Sequence, residues 1–137
     1  MREILFRGKT IKGEWVEGCL INAKEYCCIL EDEEKVHPTE YPYLCNKTGC
    51  IDGYATPIIP ETVGQFTGLT DKNGKKIFEG DIIKHFNHHD EPDKYAVYQV
   101  EFDERTCKFV GRLHKSWSAQ LCKDLENHYE VIGNSSI

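Results

Sequence analysis

The stretch from Ile59 to Ile83 constrains this chain more than any other. Its apolar residues alternate around four glycines, Gly64, Gly68, Gly74 and Gly80. Alternation with a period of two puts successive side chains on opposite faces, which is the pattern of strands rather than helices. Within it, Asp71-Lys72-Asn73-Gly74-Lys75 places Asn-Gly between two apolar runs. That dipeptide accepts the positive φ angles of a tight hairpin turn. Gly80 reads as a bulge or bend in the returning strand, and Asp81 is placed to accept backbone N–H bonds where the strand leaves it. Val63, Phe66, Leu69, Ile77, Phe78 and Ile82 would then supply a compact core.

Other segments repeat the strand pattern. Arg2–Arg7, Glu14–Ile21, Tyr26–Leu30, Tyr95–Phe102, Cys107–Val110 and Tyr129–Gly133 are short, rich in β-formers and separated by turn residues. Tyr26–Leu30 is apolar on both faces and so reads as buried or paired within a sheet. Glu31 to Tyr54 is irregular, with an acidic run at Glu31–Glu34 and prolines at Pro38 and Pro42. Ser116 to Glu126 is the helix candidate, because Trp117, Leu121 and Leu125 recur every four residues and Ser116 can cap the start.

These spacings predict a mainly β chain of small barrel-like domains built from short antiparallel strands, with one short helix. An SH3-like C-terminal part is one such arrangement. The 137 residues read as a single domain with a subdomain boundary near residues 57–60.

A net charge of −6 argues against a diffuse phosphate-binding surface. Lys72, Lys75, Lys76 and Lys84 lie close together in sequence, and their plainer reading is as solvated residues that protect sheet edges. The opening residues read as a strand, not a secretory signal, and no apolar run has membrane-spanning length. The seven cysteines are therefore expected to be free thiols in the cytoplasm of a bacterial host cell.

Two clusters have metal-ligand chemistry. Cys45 and Cys50 flank a turn, with Cys27, Cys28 and His37 upstream as further ligands, although the spacing is wider than in common zinc modules. His88 and His89, with His85 and Asp90, form the second. Buried thiols and a solvated loop are the plainer readings of the two. No phosphate loop, nucleophile elbow or deaminase pattern is present. Trp15, Phe66, Phe78, Tyr95, Tyr98, Phe102 and Phe109 are either core residues or stacking platforms for unpaired bases.

Three blocks resemble the YopX-like family of phage and prophage proteins. They are Arg2-Glu3-Ile4-Leu5-Phe6-Arg7-Gly8 with Gly13-Glu14-Trp15-Val16-Glu17-Gly18, then Ile59 to Ile83, then Tyr129-Glu130-Val131-Ile132-Gly133-Asn134. They occur in the family's order and span nearly the whole chain. The resemblance implies a phage-borne or prophage-borne accessory protein with an all-β, barrel-like fold. It brings no established activity and no catalytic residues. The cysteine-rich stretch from Cys19 to Cys50 and the His88 loop depart from the family pattern. Gly64, Gly68, Asn73, Gly74, Gly80 and Asp81 are accordingly expected to serve folding.

The expected function is a non-enzymatic interaction module without a cofactor, which binds a partner protein or itself and no membrane. A single-stranded nucleic-acid-binding barrel is the alternative. A metal-dependent enzyme built on Cys45/Cys50 or His88/His89 is the third reading.

Overall fold

The computed structural model describes residues 3–23, 26–31, 54–88, 90–114 and 117–134. The chain is mainly β, and its strands lie in two antiparallel sheets. It divides into two compact units, residues 3–65 and residues 66 onward, with the division inside a long strand.

The N-terminal unit contains β1 (Phe6–Lys9), β2 (Trp15–Ala23), β3 (Tyr26–Glu31), β4 (Tyr54–Pro57) and the first half of β5 (Ile59–Thr70). The strand order is β4-β3-β2-β1-β5. β1 and β2 join through a turn at Thr10–Glu14, where the Thr10 N–H donates to Glu14 O at 2.8 Å and Gly13 adopts φ 83°. Val16, Ile29 and Ile58 are buried together, with Phe6, Leu20 and Val63 packed against them. β3 lies between β2 and β4 and Ile29 is fully buried, in line with its two-faced apolar sequence.

The register of β1 against β5 shifts between Arg7↔Gly64 and Lys9↔Ile59, so β5 bulges there. Thr62 closes the bulge: its hydroxyl donates to Ile59 O at 2.6 Å and accepts the Lys9 N–H at 2.8 Å. Gly8 sits opposite, and a Cβ there would overlap the Ile58 side chain. Gly8 thus lets Ile58 pack directly on the β1 backbone.

In the C-terminal unit the second half of β5 pairs with β6 (Lys76–Phe78) across the Asn73-Gly74 turn. The following strands are β7 (Asp81–Phe86), β8 (Tyr95–Asp103), β9 (Lys108–His114), β10 (Trp117–Gln120) and β11 (Tyr129–Asn134). A short 3-10 helix, Lys123–His128, precedes β11. These five strands form a sheet in the order β10-β9-β8-β7-β11. Ile77, Ile83, Tyr98, Val100 and Tyr129 form its buried centre, and Leu69, Ala119, Leu121, Leu125 and Val131 pack around them. On β7 it is Ile83 that turns inward, while Ile82 is only half-buried.

The structure corrects two expectations. The sheets are open, and among the described residues neither closes into a barrel. Closure of the five-stranded sheet would require β11 to pair with β10. Instead the outer side of β11 is taken by the turn after β5, with the Lys72 N–H donating to Tyr129 O at 2.9 Å. The second correction concerns the helix. Trp117–Gln120 is a strand paired with β9, and the helix is a single 3-10 segment further on. Sheet pairing overrides the four-residue spacing, while Leu121 and Leu125 still reach the core. Ser116 lies outside the described residues. Cys122 precedes the helix and supplies no side-chain cap. β4 is a strand that the sequence pattern did not announce.

Candidate functional site

The glycine-punctuated block is held by three carboxylates. Asp71 is buried at the start of the Asn73-Gly74 turn. Its Oδ1 accepts the N–H groups of Asn73 at 2.8 Å and Lys75 at 2.9 Å. Its Oδ2 accepts the Val131 N–H at 3.0 Å, so one side chain both shapes the turn and binds it to β11. Gly74 takes φ 78°, which a residue with a Cβ rarely adopts. Asp81 is 1% exposed and accepts the Phe78 N–H at 2.8 Å, closing the bend at Glu79-Gly80. Gly80 has φ 92°, and its N–H donates to Val100 O at 2.8 Å. Gly64 pairs with Arg7, and Gly68 has φ 89° where the β5–β6 register shifts. A third carboxylate, Glu126 of the 3-10 helix, accepts both the N–H and the hydroxyl of Thr70, at 2.6 and 3.1 Å.

Behind this block lies a cluster of titratable rings. His85 of β7 faces Tyr129 of β11 with ring centroids 5.1 Å apart, Tyr98 of β8 at 5.7 Å and His128 at 6.2 Å. His128 Nδ1 lies 3.0 Å from Phe86 O. A carbonyl only accepts, so Nδ1 carries the proton in that bond and Nε2 keeps its lone pair when the ring is neutral. The Tyr129 hydroxyl accepts the Cys122 N–H at 3.1 Å. Burial, and then the neighbouring His128, holds the His85 pKa below its ordinary 6.5. Burial raises the phenol pKa of Tyr98, and burial is also the main cause of the rise at Tyr129.

Perturbed pKa values in a cluster are a hallmark of catalytic sites, but structural networks produce them as well. Here the contacts of His85 are with rings, and the Tyr129 hydroxyl is engaged by backbone. Among the described residues, no three His, Cys, Asp or Glu side chains come together as metal ligands. The geometry is that of a packed polar seam joining β7, β8, β11 and the 3-10 helix.

The sequence-predicted metal candidates are not united by the described structure. Cys45, Cys50, His37 and His89 lie outside the described residues. Cys27 and Cys28 fall in β3. His88 is exposed in the turn after β7, where its carbonyl accepts the Glu91 N–H at 3.0 Å, while His85 belongs to the ring cluster. His128 and Tyr129 were missed because their partner is more than forty positions upstream and nothing local marks them.

Three of the four lysines of the β5–β7 region lie against aromatic rings. Lys72 bridges Glu130 at 3.0 Å and its ammonium lies 4.6 Å from the Phe86 ring centre. The Lys84 ammonium sits 4.4 Å above Tyr95, and that of Lys76 lies 5.8 Å from Phe66. In the N-terminal unit, the Arg7 guanidinium covers Trp15 at 4.5 Å. Phe66, Phe78 and Tyr98 are buried. Phe102 and Phe109 meet edge to face at 5.3 Å near the tip of the β8–β9 hairpin, and Phe102 is exposed.

These features define an all-antiparallel, two-sheet β protein whose central turn is fastened to its last described strand by carboxylate-to-backbone bonds. The chain belongs to the YopX family, whose model, described as YopX protein, matches residues 6–135. Among solved structures it is similar to protein EF1440 from Enterococcus faecalis. The two are 22% identical over 98% of this chain and 94% of that one, with a TM-score of 0.58. At that identity the likeness concerns the fold alone. No curated protein matches the chain.

Proposed function

We propose that this protein is a non-enzymatic interaction module, an accessory protein of phage or prophage origin that binds a partner protein or a second copy of itself. One observation carries the reading. Large apolar side chains are exposed on both faces of the adjacent strands β8 and β9: Tyr95 at 44% and Val97 at 41% on one face, Phe102 at 42% and Leu113 at 51% on the other. Single apolar residues are ordinary on a protein surface, whereas neighbours on one face, as Tyr95 and Val97 are, favour contact with another macromolecule. The titratable rings, by contrast, are used in packing.

The alternative of single-stranded nucleic-acid binding has less support. Base stacking needs open ring faces, and cations already lie over Trp15 and Tyr95. No helix among the described residues is long and apolar enough to cross a membrane. The proposed setting is the cytoplasm of a bacterial host.

Affinity capture from infected or lysogenic cells, combined with sedimentation velocity of the purified chain, tests the reading. A stoichiometric partner or micromolar self-association is expected. Phe102→Ser is expected to weaken it by about tenfold, as removal of an aromatic anchor does. A strict monomer with no stoichiometric partner defeats the proposal.

A further inference from the structure

We propose that Asn73 is a site of spontaneous, irreversible modification by cyclisation and hydrolysis, and that the Asp71 carboxylate sets its rate. This chemistry is independent of any partner. Asparagine is among the chemically labile residues. Of the asparagines in the chain, Asn73 alone precedes a glycine. Both Asn73 and Gly74 are exposed, and open space surrounds the position where a Cβ of residue 74 would sit. Nothing therefore shields the Gly74 nitrogen from the side chain before it. Hydroxide takes the Gly74 amide proton. The nitrogen then bonds to Cγ of Asn73 while the bond from Cγ to Nδ2 breaks, and Nδ2 gains a proton and leaves as ammonia. Water opens the five-membered imide at either carbonyl. One opening gives aspartate. The other routes the main chain through the former side chain and gives isoaspartate. Nothing is oxidised or reduced.

The folded turn restrains the first step. The Gly74 N–H donates to Asp71 O at 3.0 Å, so the attacking nitrogen keeps its proton in a hydrogen bond. The backbone on either side is fixed as well, because Asp71 Oδ1 accepts the N–H groups of Asn73 at 2.8 Å and Lys75 at 2.9 Å. Conversion then requires local opening of the turn, and its rate follows the open population. The product does not close again in the same way. Isoaspartate adds one carbon to the main chain between Asp71 and Lys75, which separates the two donors that Oδ1 now gathers. The other oxygen of that carboxylate holds the Val131 N–H at 3.0 Å. Modification of Asn73 thus loosens β11 from the turn without altering a residue of β11.

The full chain is incubated in mildly alkaline buffer, folded and in denaturing urea, and the Asn73 peptide is followed by mass spectrometry with isoaspartate detection. Conversion is expected to be at least about tenfold slower in the folded chain than in urea. Asp71→Ala should speed conversion of the folded chain at least about tenfold, and Asn73→Gln, whose longer side chain cannot close a five-membered ring, should abolish it. The converted wild-type protein should exchange its Val131 amide faster than the unconverted protein. If Asp71→Ala fails to fold, wild type in urea below its unfolding transition serves instead, and conversion should rise in step with amide exchange at residues 73–75. Equal rates in the folded and unfolded chains, or an Asp71→Ala rate equal to that of wild type, overturn the proposal. So do conversion that does not track turn opening and a Val131 amide indifferent to conversion.

Discussion

The two units hold their chains together by different means. In the N-terminal unit the critical contacts are steric and apolar. Ile58 lies on the bare backbone of Gly8, and the bulge in β5 is closed by one hydroxyl, that of Thr62. In the C-terminal unit, carboxylates satisfy backbone N–H groups at three places: Asp71, Asp81 and Glu126. A close approach of backbone and side chain is intolerant of added volume but indifferent to charge. A carboxylate that gathers several donors is the reverse, since its removal leaves each buried donor without a partner.

Four perturbations would break or sharpen that contrast. The largest effect is expected from Asp71→Ala, which removes the acceptor of three N–H groups. About 3 kcal/mol of stability should be lost, read by urea unfolding. Amide exchange should accelerate mainly in the C-terminal unit, and equal acceleration in both units would erase the distinction drawn here. Gly8→Ala should cost about 2 kcal/mol through overlap with Ile58. The double variant with Ile58→Val should recover part of that loss. Additive losses would show that the close approach is not the cause.

A smaller change is expected for Tyr129→Phe, which takes the acceptor from the Cys122 N–H and should cost about 1 kcal/mol. The fourth perturbation is pH. The folded state disfavours protonation of His85, so the unfolded chain takes up that proton first as pH falls. The contribution of neutral His85 is complete above its ordinary pKa of 6.5 and declines as pH drops through the window below it. Chemical denaturation between about pH 5 and pH 8 should show this slope, reduced in His85→Gln. An unchanged slope would remove His85 as its source.

Much of the fold could be read from the sequence wherever the signal was local. Asn73-Gly74 announced its turn because positive φ is a property of the residues themselves, and β5, β7 and β8 announced themselves by alternation. What depended on distant partners could not be read. Asp71 looked like a turn residue, yet one of its oxygens serves Val131, sixty positions away. Trp117 looked helical because the pairing that makes it a strand belongs to β9. The ring cluster joins β7, β8, β11 and the 3-10 helix, and no spacing within one element reveals it. The exposed side chains of β8 were visible as strand residues, but which of them the fold leaves uncovered was not.

The attachment of β11 beside β7 has a consequence in time. β7 receives β8 as a neighbour as soon as the next hairpin is made, but its other side waits for a strand that begins at Tyr129, after β8, β9 and β10 have all been synthesised. During that interval Ile83, fully buried in the finished protein, lies on a strand with one bare edge. Long-range pairings of this kind are slow to form and expose chains to mispairing while they wait. β11 therefore acts as a late clasp, and the nascent chain is most exposed to wrong partners just before that clasp emerges.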